Sequence, residues 1–437
     1  MPPAPHLSNL PPDIVFSVFA HCHVAAVVAS TCRYFHLLAL EKSVWIRLVR
    51  DLQRRGILDT ACCPDITALS VMQLIKLAVL GPETWSRGHV PEVSKQVALQ
   101  PTAGFDKTRV GVAELLPSGR YVLLLKSMVL ECWDVAEERA LWTRSFAEGV
   151  ELMSSLRFAA EEMNGGTSVI IMVCVCAHTD DDAEPQNYIE IIDLDLRKGT
   201  HDLLLTHLTD SDFRTRFWKP VICSPIACIT TVSEKRANMH FIVNWETQSA
   251  LYLKCRSAKY WQPSLVALIP GHIFVSLANR DQICLVSTDM LGAYWAPLNR
   301  EQTIAVDDIP KLHTFEHSGN IAGMSSPLRR GSYRIYAFGP MYDGGHVARV
   351  RYKFAVDTGA GISAVPPPTQ PVQLPLAKNL FSISYAGHCL VSDPPDQQFA
   401  IVPPAPGAAA LRLQINARYG GTMVCCARKS VIIQYYR

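Results

Sequence analysis

Cysteine and histidine residues occur close together near the N-terminus, and both residue types can bind zinc. The candidate ligands are Cys22, His23, Cys32 and His36. A structural zinc site normally takes paired ligands at short spacing from two arms of the chain. The two cysteines here are ten positions apart and form no such pair. The sequence therefore predicts no metal site in this segment.

The other residues with reactive side chains form no known catalytic pattern. The chain contains no G-x-S-x-G elbow, H-E-x-x-H pair, Walker loop or G-x-G-x-x-G turn. The acidic run Asp180-Asp181-Asp182 lacks the spaced ligands of a calcium loop, and we expect a solvated hairpin there. We therefore predict a protein that is not an enzyme and that has no catalytic residues, bound metal or other cofactor.

The composition is typical of a globular protein. Hydrophobic residues make up 49% of the 437 residues, charged residues make up 18%, and the formal net charge is +2. So small a charge gives no general attraction for nucleic acid or for an anionic membrane, and we expect neither as a partner. The longest dense apolar run, Val169 to Ala177, is much shorter than the roughly 20 residues of a transmembrane helix.

The first residues lack the basic and apolar regions of a secretory signal. The 14 cysteines are scattered, and for an intracellular chain we expect reduced thiols. These features predict a soluble protein of the cytoplasm, the nucleus or both.

Apolar residues in the first fifty positions have helical spacing. Leu10, Ile14 and Val18 recur at every fourth position, which places them on one side of a helix. A second short helix is predicted over Val24 to Ala29, and a third follows from Cys32 to Val49. Three short helices are too small to bury all their apolar residues in a core of their own. An apolar face left open on such a unit is a docking surface.

This segment resembles an F-box, a module of about 45 residues that docks substrate adaptors onto a ubiquitin ligase. The family pattern opens with Leu-Pro-x-Asp/Glu-Ile, which is matched by Leu10-Pro11-Pro12-Asp13-Ile14, and its Ile-Phe pair is matched by Val18-Phe19. Its Cys-Arg-x-Trp/Phe stretch is matched by Cys32-Arg33-Tyr34-Phe35. Its closing Ser-hydrophobic-Trp is matched by Ser43-Val44-Trp45.

The resemblance implies a partner, the Skp-type linker subunit of a cullin–RING ligase. Carried over by position, the contacting or supporting residues are Leu10, Pro11, Ile14, Val18, Phe19, Val27, Cys32, Phe35 and Trp45. The alternative is an ordinary helical subdomain that packs against the rest of the chain.

The sequence divides into three parts. Residues 8–52 form the F-box-like unit, residues 53–90 a helical linker, and residues 91–437 a β-rich domain. The linker contains a predicted helix over Thr67 to Leu80, which Gly81-Pro82 ends. Beyond about residue 90 the spacing changes to short β-type runs broken by turns. The predicted fold class is therefore α+β multidomain: a small helical unit, a linker helix and a large all-β domain.

The clearest β unit covers Glu114 to Phe146. Strands are predicted over Tyr121 to Leu125, Val129 to Val135 and Ala140 to Trp142, and the second contains Trp133-Asp134. This order of strands and turns resembles one blade of a WD-repeat propeller.

Weaker copies of this unit follow at intervals of about 35 to 65 residues, close to the period of such propellers. Their landmarks are Ile192-Asp193, Asn244-Trp245, Asp289, Val347 to Val356, Phe399 to Pro403 and Ser430 to Tyr436. We predict a β-propeller of six or seven blades, with a β-sandwich or stacked β-domains as alternatives.

Together these patterns predict a substrate-recognition adaptor of an SCF-type ubiquitin ligase. The F-box-like unit docks the linker subunit, and the propeller captures a client protein that the sequence does not identify. Aromatic and arginine residues near turns are candidate client contacts. They are Trp218, Trp261, Trp295, Arg329, Arg330 and Tyr342. The rival interpretation is a propeller scaffold or ligand-binding protein with no role in a ligase.

Overall fold

The protein is described from a computed structural model. It describes residues 11–21, 33–54, 65–80, 93–100, 112–116, 118–126, 128–146, 155–164, 166–177, 186–209, 216–232, 239–255, 265–277, 282–315, 320–325, 332–343, 346–357, 361–364, 379–383, 389–393, 398–402, 422–426 and 431–436. The predicted helix over Val24 to Ala29 and the acidic run at Asp180 lie outside these residues.

The helices of the described chain all lie before residue 81, apart from two short 3-10 helices. They are α1 (Pro12–His21), α2 (Arg33–Ala39), α3 (Lys42–Arg54) and α4 (Val71–Leu80). None of them is long and apolar enough to cross a membrane.

The predicted third helix is divided in two by a turn at Leu40 and Glu41. Leu40 N–H donates to the carbonyls of both His36 and Leu37, which tightens and ends α2. The buried indole N–H of Trp45 donates to the carbonyl of Ala39 at this helix end. The prediction of one continuous helix was wrong, because the side chain of Trp45 satisfies a carbonyl that a longer helix would have bonded internally.

The linker helix begins four residues later than predicted, at Val71 instead of Thr67. Ser70 N–H donates to Gln73 Oε1 (2.8 Å), and Gln73 N–H donates to Ser70 Oγ (3.3 Å). This reciprocal pair is a capping box, which fixes the first turn of a helix. Before it, Asp65 accepts the N–H and hydroxyl of Thr67, and these hydrogen bonds lower the pKa of the Asp65 carboxyl.

The four helices share one hydrophobic core. Its buried members lie between Val15 and Ala78, and they include Leu74 and Ala78 of α4 as well as Trp45 and Leu52 of α3. The linker helix is therefore part of the helical unit. The expectation that the small helices have no core of their own needs correction, because α4 covers one side of them.

The rest of the described chain is mostly β. Its strands are β1 (Val93–Leu99), β2 (Val112–Leu115), β3 (Tyr121–Lys126), β4 (Val129–Asp134), β5 (Arg139–Ser145), β6 (Ser155–Met163), β7 (Ser168–Ala177), β8 (Gln186–Asp195), β9 (Thr200–Thr209), β10 (Arg216–Cys223), β11 (Ile226–Val232), β12 (Met239–Asn244), β13 (Ser249–Lys254), β14 (Leu265–Ile269), β15 (His272–Leu277), β16 (Gln282–Ser287), β17 (Ala296–Pro297), β18 (Thr303–Ala305), β19 (His313–Phe315), β20 (Asn320–Ser325), β21 (Ser332–Asp343), β22 (His346–Asp357), β23 (Gly361–Ala364), β24 (Asn379–Ile383), β25 (Cys389–Asp393), β26 (Gln398–Val402), β27 (Thr422–Cys426) and β28 (Val431–Tyr436). The prediction of a small helical part followed by a large β-rich part is confirmed.

Within the described residues these strands form seven sheets, numbered here along the chain. Sheet 1 contains β2 to β5, sheet 2 β6 to β9, sheet 3 β10 to β13 with β17 and β18, sheet 4 β14 to β16 with β19, sheet 5 β20 to β23, and sheet 6 β24 to β26. Sheet 7 joins β27 and β28 to β1, so the first described strand pairs with the last. Neighbouring strands are antiparallel except β13 and β18.

Sheets 1 to 4 each pack their two faces on different neighbouring sheets. In β3, Leu123 and Leu125 belong to the core between sheets 1 and 2, whereas Val122 and Leu124 belong to the core between sheets 7 and 1. The same alternation places Cys174 and Cys176 together in the core between sheets 2 and 3. Since strand residues alternate sides, a strand buried on both faces is a continuous apolar run.

Further cores join sheet 3 to sheet 4 and sheet 4 to sheet 5. The first strands of successive sheets also contact each other, β6 with β10, β10 with β14, and β14 with β20. Within the described residues, sheets 1 to 5 thus stand face to face in chain order, and the first strands of sheets 2 to 5 contact one another.

One hydrogen bond recurs in four successive sheets. The residue after the third strand donates its N–H to a carbonyl in the turn between the first two strands. The pairs are Val135 to Arg120 (2.8 Å), Leu196 to Thr167 (2.9 Å), Trp245 to Pro225 (3.4 Å) and Thr288 to Gly271 (2.9 Å). The turn between the first two strands and the end of the third strand therefore lie at the same end of each of these sheets. We call this end the turn end.

A second repeated feature is the turn after the third strand. In sheets 1 to 3 it opens with Asp134, Asp195 or Asn244, whose side-chain oxygen accepts two backbone N–H groups two and three residues later. Each turn has a residue with positive φ four positions after its opening residue, at Glu138, Gly199 and Gln248. The sequence analysis chose Asp134 and Asn244, but its choice of Asp193 was wrong, because β8 continues to Asp195.

Candidate functional site

The first helix presents two apolar side chains to solvent. Ile14 and Val18 are 46% and 51% exposed, and their spacing of four positions places them on one side of α1. Val15 and Phe19 each follow by one position, and both are buried in the helical core. The helix therefore has one apolar side packed inward and a second apolar side in water. We call the exposed set Pro11, Ile14 and Val18 the α1 face.

Aromatic residues position α1 from behind. The rings of Phe19 and Phe35 meet edge to face, with their centroids 6.4 Å apart, and Tyr34 lies against Phe35 at 5.6 Å. Trp45 is buried in the same core. An edge-to-face pair between α1 and α2 stabilises their packing by about 0.5–1.5 kcal/mol beyond the contribution of the apolar area that it buries. The packed aromatic side chains beneath α1 therefore hold the α1 face in a fixed position.

The structure separates the predicted residues into two groups. The α1 face contains the exposed ones, and Phe19, Phe35 and Trp45 form the supporting layer beneath it. The remaining predicted residues, Leu10, Val27 and Cys32, lie outside the described part of the chain.

Two exposed apolar residues near α1 were missed by the sequence analysis. Leu37 of α2 is 60% exposed and Leu40 is 40% exposed, and α2 contacts α1. The apolar spacing of the sequence does not separate them from buried residues, because adjacent apolar residues such as Val44 and Trp45 are both buried in the same core. Exposed apolar residues on both α1 and α2 extend the surface that a partner can cover.

The candidate zinc ligands are only partly described. His36 is exposed on α2, and the other three candidates lie outside the described residues. Among the residues that are described, no group of three or more His, Cys, Asp or Glu side chains is placed to hold a metal ion.

Two of the candidate client contacts can be placed. Trp218 is 47% exposed on β10, a first strand of its sheet, and Trp295 is partly buried beside a pocket between sheets 3 and 4. Trp261, Arg329 and Arg330 lie outside the described residues, and Tyr342 is on β21.

Comparison with known proteins was made at the levels of sequence and structure. No family model matches the chain, and no curated protein matches it. The WD40 domain of SCAP from fission yeast matches 74% of this chain and 84% of its own length, with 11% identity and a TM-score of 0.44.

Two other solved structures give weaker matches. The β-propeller domain of the Trilobed protease from Pyrococcus furiosus matches 57% of this chain and 68% of its own, with 8% identity and a TM-score of 0.30. AztD from Citrobacter koseri matches 68% of this chain and 72% of its own, with 10% identity and a TM-score of 0.35. All three likenesses are distant, with TM-scores below 0.5.

Proposed function

We propose that the protein is a substrate-recognition adaptor of an SCF-type cullin–RING ubiquitin ligase. In this proposal the helical unit docks the Skp-type linker subunit, and the β-rich part is a seven-bladed WD-repeat-like propeller that captures a client protein. The proposal places the chain in the cytoplasm or the nucleus, where these ligases act.

The observation that carries the docking half is the α1 face. Ile14 and Val18 occupy positions where the F-box resemblance expects contacts, and they are half exposed although the helix already has a buried apolar side. Covering an apolar side chain stabilises a complex by roughly 1.5–3 kcal/mol when burial is complete, and by about half of that for side chains already half buried. An aspartate at position 14 or 18 would have to lose its hydration when the partner covers the α1 face, and this cost opposes binding.

The propeller half is supported by the order of the sheets. Seven sheets follow one another along the described chain, and the pairing of β1 with β28 places both ends of the β-rich part in one sheet. Sheets 1 to 5 pack face to face in chain order, and the first strands of sheets 2 to 5 contact one another, as in a propeller. A ring closed between its first and last strands leaves only short, protected edges.

The proposed mechanism is proximity. The helical unit fixes one end of the chain on the ligase, and the propeller holds the client close to the conjugating enzyme. A bound client reacts as if it were present at a much higher concentration. The bond-forming chemistry belongs to other subunits, and this chain contributes binding and orientation.

Affinity capture from cells tests the adaptor proposal. The full-length chain and its double variant Ile14→Asp, Val18→Asp are each recovered from cells with the proteasome blocked. We expect the double variant to lose the linker and cullin subunits and to keep its clients, which then accumulate. Recovery of the same ligase subunits by both chains would overturn the proposal.

The rival function, a propeller scaffold outside any ligase, predicts a different result. Client turnover would then be insensitive to cullin inhibition in cells that express the unmodified chain. The adaptor proposal predicts slower turnover under the same treatment.

A further inference from the structure

A pocket of about 430 Å³ lies at the turn end between sheets 3 and 4. Sheet 3 contributes the turn from Cys223 to Ile226 and the side chain of Asn244. Sheet 4 contributes Leu268, Ile269, Gly271 and His272, and the segment after β16 contributes Thr288, Asp289, Gly292 and Trp295. The volume is within the range of pockets that bind small molecules or single side chains of a partner.

The corresponding space in the preceding sheets is filled. The residue after the third strand is Val135, Leu196 or Trp245 in sheets 1 to 3, exposed to 1%, 1% and 6%. Each belongs to the core between its own sheet and the preceding one. In sheet 4 the same position, identified by the same N–H bond to the first turn, holds Thr288, which lines the pocket. The pocket is thus the place where the repeat lacks its apolar filler.

Sheet 4 differs from the preceding sheets in a second way. A segment of residues 289–312 replaces the short turn between its third and fourth strands, and this segment adds β17 and β18 to the edge of sheet 3. It begins with the 3-10 helix Asp289–Tyr294, which is anchored by the fully buried Leu291. Gln302 accepts the N–H of Tyr252 at 2.8 Å. The segment therefore ties the two sheets together and forms one wall of the pocket.

The other walls are held by hydrogen bonds. Ser224 N–H donates to Glu161 of sheet 2, and Asn244 Oδ1 accepts two backbone N–H groups of its own turn. His272 Nδ1 lies 3.1 Å from the carbonyl of Pro270, and Asp289 N–H donates to Ser287 Oγ at 3.2 Å. A pocket with fixed walls loses little conformational entropy when a ligand enters.

The lining has the chemistry of a cation site. Among the described lining residues, Asp289 is the one carboxylate and is exposed, and the aromatic residue Trp295 lies at the other end of the 3-10 helix. A carboxylate and an indole together favour a guanidinium or ammonium group, through a charge-assisted hydrogen bond and a cation–π contact. The Cys223 thiol is no nucleophile at neutral pH, because burial raises its pKa to about 12.

We propose that this pocket binds a basic side chain, arginine or lysine, of a segment of the client protein. Ile226 and Leu268 contact the aliphatic stem of that side chain, and Asp289 and Trp295 receive its charged head. That the basic side chain comes from a client protein rests on the proposed function. The preference of the pocket for a basic side chain follows from its lining residues alone.

The probe is an array of random heptapeptides whose central residue is arginine, lysine, glutamate or leucine. The full-length protein is applied to the array, and the strongest basic-centred peptide is made in soluble, labelled form for anisotropy titration. We expect arginine- and lysine-centred peptides to dominate, and replacement of the central residue by glutamate to weaken binding by about tenfold or more. Equal binding of all four classes would overturn the proposal.

Three variants locate the binding to the pocket. Asp289→Asn and Trp295→Leu should each weaken the peptide by about fivefold to tenfold. Thr288→Leu restores the apolar filler, and it should abolish binding while the melting temperature stays the same or rises. The matched control is Asp308→Asn, an exposed acid of the same segment outside the lining, and it should bind as the unmodified protein does.

Unchanged affinity in Asp289→Asn and Thr288→Leu would show that the peptide binds elsewhere, and the proposal would be wrong. The double variant Ile14→Asp, Val18→Asp separates this result from the adaptor proposal. It should bind the peptide normally, since the α1 face and the pocket share no residue.

Discussion

His240 makes the stability of the β-rich part depend on pH. Its side chain is fully buried on β12, and Nδ1 lies 2.9 Å from the hydroxyl of Thr230. Among the described residues, Nε2 is buried without a hydrogen-bond partner. Burial lowers the pKa of His240 from 6.5 to about 3, because desolvation disfavours the charged imidazolium.

The direction of the effect follows from the protons bound in each state. Between pH 6.5 and pH 3 the unfolded chain binds a proton at His240 that the folded chain does not bind. The stability supplied by neutral His240 is therefore present above pH 6.5 and is lost as the pH falls towards 3. From pH 7 to pH 5 the loss is about 2 kcal/mol, and it depends little on the folded pKa because pH 5 lies well above it.

Guanidinium unfolding followed by the circular dichroism of the β-sheets measures this loss. Unmodified protein and His240→Leu are compared at pH 7, 6 and 5. We expect the variant to be less stable at pH 7, because it loses the bond to Thr230, and to have a shallower pH dependence by about 2 kcal/mol over this range. Part of the dependence remains in the variant, since burial also lowers the pKa of His207.

The matched control is His313→Leu, because this histidine lies on the exposed side of β19. It should keep the pH dependence of the unmodified protein. An identical pH slope in His240→Leu and in the unmodified protein would refute the reasoning.

Three further predictions concern the packing of the β-rich part. Gly199→Ala should destabilise the protein by about 2–4 kcal/mol in chemical unfolding, because a Cβ there collides with the backbone carbonyl of Leu141. Gly271→Ala has open space around its Cβ, so it bears only the cost of a positive φ and should lose about 1 kcal/mol. Equal losses in the two variants would contradict this. Asp134→Ala should cost about 2–3 kcal/mol by thermal unfolding, because the buried carboxylate binds Arg120 at 2.8 Å and caps its turn. Asp195→Ala, at the corresponding turn of sheet 2, should lose less, because Asp195 is only partly buried. Cys132 should react with a thiol reagent only after unfolding, because burial raises its pKa to about 12, and fast labelling of the folded protein would disprove it.

The β strands could be predicted from sequence wherever they are buried on both faces. Such strands are continuous apolar runs, as in Tyr121–Lys126 and Ser168–Ala177, and their short length between turns and their β-branched residues favour a strand over a buried helix. Strand ends were less predictable. The carboxylate of Asp193 resembles a turn residue in the sequence, but only the backbone bonds accepted by Asp195 decide where the turn begins.

The helical unit shows the same limit. Apolar spacing predicts α1 and its two sides, but the break after Ala39 depends on a tertiary bond from the indole of Trp45. The capping box at Ser70 and Gln73 was legible in the sequence and would have placed the start of α4.

The pocket between sheets 3 and 4 could not be predicted from sequence. It depends on one position in a degenerate repeat, Thr288, and that position can be aligned with Val135, Leu196 and Trp245 only by a hydrogen bond between two turns. The intervals between the third-strand ends also vary, since the segment at 289–312 interrupts sheet 4. Because the repeat length varies, the sequence alone does not show which residue of sheet 4 corresponds to the apolar residues of sheets 1 to 3.

Direct binding of a purified Skp-type linker subunit to the full-length chain is the measurement closest to the central claim. Titration calorimetry compares the unmodified protein, the double variant Ile14→Asp, Val18→Asp, and the control Met72→Asp, an equally drastic change at a 69% exposed position of α4. We predict binding by the unmodified protein and by the control, and a loss of about a hundredfold or more in the double variant with its circular dichroism unchanged. No binding by the folded, unmodified protein, or equal binding by the double variant, would contradict the adaptor function.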